Sequence, residues 1–187
     1  RHRRWRVPLR NEPPESGLAG STVIVDDERA APETGLPVDV DDCRALIADV
    51  LDHEGLGQRD LEVHVHLVDE EPMADLNAEH MGGVGPTDVL SFPLEDPADL
   101  DPARVATDQS GAPLLLGDIV LCPSVAERQA AEHAGDHDTE IALLLVHGVL
   151  HLLGHDHAEP AEEAVMQERE RVHLARHGMA VHREDRS

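Results

Sequence analysis

Strict alternation marks one segment of the chain more clearly than any other. In Leu61–Val68 (LEVHVHLV), Leu61, Val63, Val65 and Leu67 fall on one side and Glu62, His64 and His66 on the other, as in a half-buried strand. Upstream, Cys43, Leu46, Ile47, Val50 and Leu51 recur at i, i+3, i+4, i+7 and i+8. That period predicts a helix starting near Asp41 and stopped by Gly55. Thr22–Asp26 (TVIVD) is a candidate first strand. After the alternating segment, Asp69 is placed to cap a short helix carrying Met73 and Leu76. Gly82, Gly83, Gly85 and Pro86 then break the chain before a strand over Asp88–Leu94. Leu114–Cys122 (LLLGDIVLC) reads as a buried strand whose central glycine suits a bulge or a close backbone approach.

The last third is helical. Ser124 is a candidate cap for a helix reaching about Gly135, and a second helix runs from near Asp138 through IALLLVHGVLHLL to Gly154. This second helix is apolar almost all round, which places it inside the core. Pro160 and Gly178 frame a final amphipathic helix. The order βαβαββααα predicts an α+β fold: one small mixed sheet, helices packed against it, and a central buried helix. Residues 1–37 read as an N-terminal extension with the candidate strand inside it, residues 38–187 as a single domain, and Asp96–Pro113 as an acidic loop.

Composition narrows the function classes. The 187 residues hold 15 basic and 39 acidic side chains, a net charge of −24. Every basic residue is arginine, and five of them (Arg1, Arg3, Arg4, Arg6, Arg10) lie in the first ten positions. A broad basic surface for nucleic acid, or docking on anionic membranes, is therefore excluded, although a local cationic or metallic site is not. Trp5 and Phe92 are the only aromatic residues, so platforms for stacking single-stranded bases are nearly absent. Cys43 and Cys122 are far apart and match no CxxC spacing, which fits a reducing, cytoplasmic setting. No stretch approaches the ~20 apolar residues of a membrane span.

The chemistry concentrates in His147-Gly-Val-Leu-His151-Leu-Leu-Gly154-His155-Asp156-His157. His147 and His151, at i and i+4, project from one helix face and can share a metal ion. Gly154 can turn the chain so that His157 adds a third nitrogen. Three imidazoles with an open fourth position form the pattern of a catalytic zinc site, one ion per chain, whereas structural zinc is mostly held by four ligands rich in cysteine. Leaving these rings as ordinary core histidines is costly, because each would need a polar partner among Leu and Val side chains. The spacing equals the metzincin pattern with its general-base glutamate replaced by Gly148, so a metallopeptidase route is disfavoured. Phosphoryl chemistry depends less on a dedicated base.

At these residues the chain resembles the YbeY family of bacterial rRNA maturation endoribonucleases, whose motif has the form HGxLHLxGYDH. Leu76-Asn77 followed by Gly85-Pro-Thr87-Asp88-Val-Leu-Ser91-Phe92-Pro93, and Leu116-Gly117-Asp118-Ile-Val-Leu-Cys122-Pro123, agree as well. The resemblance spans about Val38 to Gly178. It implies zinc held by His147, His151 and His157, cleavage of single-stranded RNA, maturation of the 16S rRNA 3′ end and ribosome quality control. Implied partners are ribosomal RNA and small-subunit proteins or an assembly GTPase. Two positions depart from the family pattern: Met81 stands where many members have arginine, and His155 where tyrosine is usual. A non-catalytic zinc-containing assembly factor is the competing expectation, favoured by the acidic charge and Met81.

Several lesser candidates remain two-sided. Asp156 either orients an imidazole, accepts a proton or caps a turn. Thr87, Asp88 and Ser91 face a cleft or hold sheet positions, and Asp118, in an apolar strand, needs a partner. His133 and His137 repeat the i, i+4 spacing at a solvated helix end. His64 and His66 belong to the exposed strand face, and the arginine run at the start reads as a terminal arm.

Overall fold

The computed structural model describes residues 20–31, 36–57, 60–96, 100, 113–131 and 134–181. The arginine-rich start, most of the expected acidic loop and His133 lie outside the described residues. The elements are β1 (Thr22–Asp27), α1 (Val40–His53), β2 (Leu61–Leu67), α2 (Glu70–Leu76) with a π-helical turn over Asn77–Met81, β3 (Val89–Pro93), β4 (Leu114–Leu121), α3 (Pro123–Ala130), α4 (His137–Leu152) and α5 (Pro160–Arg176). Their order is the expected one. The strands form one sheet, β1-β2-β4-β3, in which β1, β2 and β4 run parallel and β3 runs antiparallel to β4. This is the small mixed sheet of an α+β fold. Among the described residues no helix is long and apolar enough to cross a membrane.

The alternation of β2 sorts the two faces of the sheet. Leu61, Val63, Val65 and Leu67 are fully buried, together with Ile119 and Leu121 of β4, against Leu46, Ile47 and Val50 of α1 and Leu145, Val149 and Leu152 of α4. On the opposite face Leu90, Phe92 and Val120 meet Met73 of α2 and Val125 of α3 in a smaller core. Helix cover on that face reaches the β3–β4 end, while Glu62, His64 and His66 stay half-buried. Residues 137–152 form a helix because Asp136 caps them: its carboxylate accepts from the Thr139 amide at 3.0 Å and the Thr139 hydroxyl at 2.8 Å. Glu159 and Glu162 form a capping box at the start of α5, beside Pro160.

Two expected caps act otherwise. Asp69 makes no side-chain cap on α2; its carboxylate accepts from the Ala30 amide at 2.8 Å and ties the segment after β1 to the start of α2. Ser124 lies inside α3, which begins at Pro123, a residue without an N–H to satisfy. That helix also ends at Ala130, before Gly135, which turns the chain with φ +88°. Gly117 meets both expectations for it. The β2–β4 register shifts beside it, and a Cβ there would lie 2.3 Å from the Phe92 carbonyl oxygen and 2.9 Å from Leu152 Cδ2. Its φ of +145° is one that side chains rarely adopt. The glycine thus lets β3 and the end of α4 close on β4.

Candidate metal centre

Helix α4 passes through the core with all its residues from Thr139 to Val146 buried. His147 and His151 are the positions at which its otherwise apolar C-terminal half becomes half-buried. Their rings meet edge to face, with Nε2 to Nε2 at 3.1 Å and ring centroids 4.5 Å apart. After Leu152 the chain turns through Gly154 at φ +88° and returns His157 to the same spot. The His157 ring centroid lies 5.5 Å from that of His147 and 5.0 Å from that of His151. One nitrogen from each of the three rings lies within 4.8 Å of the others, a grouping able to hold a metal ion.

Chemistry and geometry both fit zinc. Ligand nitrogens about 2.05 Å from a tetrahedral ion are about 3.3–3.4 Å from one another, close to the observed contact. The His147 Nδ1–H donates to Glu170 Oε1 at 2.7 Å, which fixes the tautomer and leaves the Nε2 lone pair turned towards His151. Burial, reinforced by the neighbouring His147 and His157 rings, pushes the His151 pKa down to about 4, so this ring is neutral at physiological pH. His157 is exposed and forms the open side of the site, whereas Glu170 is 3 % exposed and closes its back.

Glu170 escaped the reading of the motif because it lies on a different helix, 23 positions from His147. A signal was present. Met166, Glu170, His173 and Leu174 form the buried stripe of α5, and a carboxylate in such a stripe needs a partner.

The remaining candidates divide by location. Asp156 accepts from the His157 amide at 2.7 Å, a turn contact next to the third histidine. Asp88 accepts from the Thr87 hydroxyl at 2.9 Å and the Val89 amide at 2.8 Å at the start of β3. Ser91 faces α4, its buried Oγ 3.2 Å from where a Cβ on Gly148 would stand. That same Cβ would meet Ile119 Cγ2 at 3.0 Å and Cδ1 at 3.1 Å. Position 148 therefore faces the sheet, where a side chain would press on Ile119 and Ser91, and the site has no base at that position. Asp118 points to the other face of the sheet, 3.5 Å from His66 Nε2. His137 sits at the first turn of α4, 2.9 Å from Glu127. Met81 is 58 % exposed at the end of the π-helical turn. Both thiols are free and buried, and burial pushes Cys43 up to about 12.

The family model described as Endoribonuclease YbeY matches residues 31–178. Curated relatives with that name include one from Salinispora tropica, 50 % identical over 137 residues (73 % of this chain and 86 % of the relative). Another, from Thermobifida fusca, is 47 % identical over 137 residues (73 % of this chain and 84 % of the relative). The solution structure of TM1509 from Thermotoga maritima has the same fold, with a TM-score of 0.53 at 24 % identity over 83 % of this chain and 88 % of that one. With the three-histidine site and the βαβαββααα order beside it, the match across the whole core of the fold places this chain in the endoribonuclease YbeY family.

Proposed function

We propose that this chain is a zinc endoribonuclease that cuts single-stranded RNA, acting in 16S rRNA 3′-end maturation and ribosome quality control in the cytoplasm. The class, a metal-dependent endoribonuclease, follows from the family. The observation that carries the site assignment is the convergence of His147, His151 and His157, with Glu170 behind His147. These three histidines are the ligands in this reading, one ion per chain, in a catalytic unit over residues 38–187 to whose sheet β1 adds an edge strand.

When bound, zinc supplies Lewis acidity towards a phosphoryl oxygen and a nucleophile at neutral pH. The protein's part is to arrange the ligands beforehand. Glu170 holds the proton of His147 on Nδ1, and burial keeps His151 unprotonated. Asp156 fixes the turn that carries His157. The apolar flank of α4 keeps water off the floor of the site, and the exposed His157 side admits RNA. Gly148 gives no general base, which supports phosphodiester rather than peptide substrates.

The competing reading, an assembly factor in which zinc is structural, draws on the net charge of −24 and on Met81. In the first reading ribosomal RNA is the nucleic-acid partner, joined by small-subunit proteins or an assembly GTPase; in the second a partner protein does the binding. Metal analysis and cleavage of labelled single-stranded RNA by one preparation separate the two. We expect zinc and cleavage to disappear together in His151→Ala; zinc retention without cleavage by the parent protein gives the site to assembly alone.

A further inference from the structure

A second group of metal-ligating side chains lies on the opposite face of the sheet and takes no part in the site above. His64, His66 and Asp118 each place one ligand atom within 4.8 Å of the others. Among the described residues only this group and the three-histidine site meet that condition. The backbone dictates the cluster. His64 and His66 are i and i+2 on β2, so both rings leave the same face, and parallel pairing sets Asp118 of β4 beside His64. The strand that carries the histidines is hydrogen-bonded on both sides, to β1 and to β4, so the ligands stand on a rigid base.

Carboxylates surround the pair. The His66 Nδ1 contacts Glu28 Oε1 at 2.6 Å, while its Nε2 lies 3.5 Å from Asp118 Oδ1. The His64 Nε2 is 2.7 Å from Glu62 Oε1. An outer carboxylate on a ligating imidazole orients the ring and makes its other nitrogen a better donor. With neutral imidazoles, the three carboxylates give this patch a charge of about −3, a strong local attraction for a cation.

We propose that His64, His66 and Asp118 form a second divalent-metal site, selective for zinc or a similar transition ion, with Glu28 and Glu62 holding the rings. Two imidazoles and a carboxylate are the ligand types such ions prefer, and an oxygen-only set for magnesium or calcium is absent from this cluster. An ion there would cross-link β2 to β4 and, through Glu28, the end of β1. The site depends on neither α4 nor α5, so it stands independently of the proposed RNA chemistry.

The test is zinc stoichiometry on the chelator-stripped, reloaded protein, read by elemental analysis and calorimetric titration with zinc chloride. The parent protein should bind about two ions. The double variants His64→Ala/His66→Ala and His147→Ala/His151→Ala should each bind about one. In His147→Ala/His151→Ala, zinc should shift the NMR signals of the His64 and His66 rings, and adding Asp118→Asn should weaken that binding by roughly tenfold or more. Should His64→Ala/His66→Ala misfold, the ring signals in the His147→Ala/His151→Ala background decide alone. Unmoved ring signals at millimolar zinc, or equal stoichiometry in the parent and a folded His64→Ala/His66→Ala, would overturn the proposal and leave simple histidine–carboxylate pairs.

Discussion

Glu170 shows how much one buried carboxylate contributes to an imidazole that has two usable nitrogens. By accepting from Nδ1 of His147 it decides which nitrogen faces the other two rings. Glu170→Gln keeps the volume and alters the proton arrangement, so zinc affinity should fall by roughly 10–100-fold while the fold persists. Competition with a chromophoric chelator measures this, and an unchanged affinity would remove Glu170 from the site. Gly148 makes the complementary point. A glutamate there, the metzincin residue, would begin with its Cβ pressed on Ile119 and Ser91. Gly148→Glu should therefore destabilise the protein by roughly 2–4 kcal/mol, read from urea unfolding, and confer no peptidase activity on a peptide library.

At the scale of elements, α5 serves as a strut between the three-histidine site and α1. Besides Glu170 it carries Arg169 and His173, which both bond Glu54 just after α1, and Arg176, which pairs with Asp49 within it. The His173 hydrogen bond, against the opposing effect of burial and with help from Arg169, holds Glu54 down to about 2 from an ordinary 4.5. A depressed carboxylate stabilises the fold fully above its unfolded value and loses that contribution as pH falls through the folded one. The parent should therefore lose stability between about pH 4.5 and 2 more steeply than Glu54→Gln, followed as urea midpoints against pH. Strand β4 has its own fixed point at Gly117. Gly117→Ala should cost roughly 2–4 kcal/mol, because its Cβ would strike the Phe92 carbonyl and the φ is unfavourable for alanine. Thermal unfolding reads this, and a melting temperature like the parent's would contradict the close approach. The elements themselves were legible from periodicity, but caps were less so. Asp69 looks like a cap in sequence, yet the distant Ala30 amide offers its carboxylate a better-placed donor.

For the molecule as a whole, the charge bounds how RNA can be held. At −24, and with the uncharged Met81 exposed at the end of the π-helical turn, few cations are available to displace counterions from phosphates. Binding of single-stranded RNA by the free protein should weaken by less than about tenfold between 50 and 200 mM salt, measured by fluorescence anisotropy. A steep dependence would reveal a basic surface that the composition does not suggest. The apolar pattern nevertheless builds two cores of unequal size, one on each face of the sheet, and leaves the second face open at β2.

The order of elements, the burial of α4 and the spacing of the three histidines could be read from the order of amino acids alone. All depend on local spacing: a period of 2 or 3.6, or a turn at one glycine, is written in neighbouring residues. What stands opposite them came with the folding of distant segments onto one another. Glu170 behind His147, Ile119 and Ser91 against Gly148, and Asp118 beside His64 and His66 are meetings between segments far apart in the chain. They follow from the packing of α5 against α4, from the packing of α4 on the sheet and from the register of β2 on β4, none of which a local pattern records.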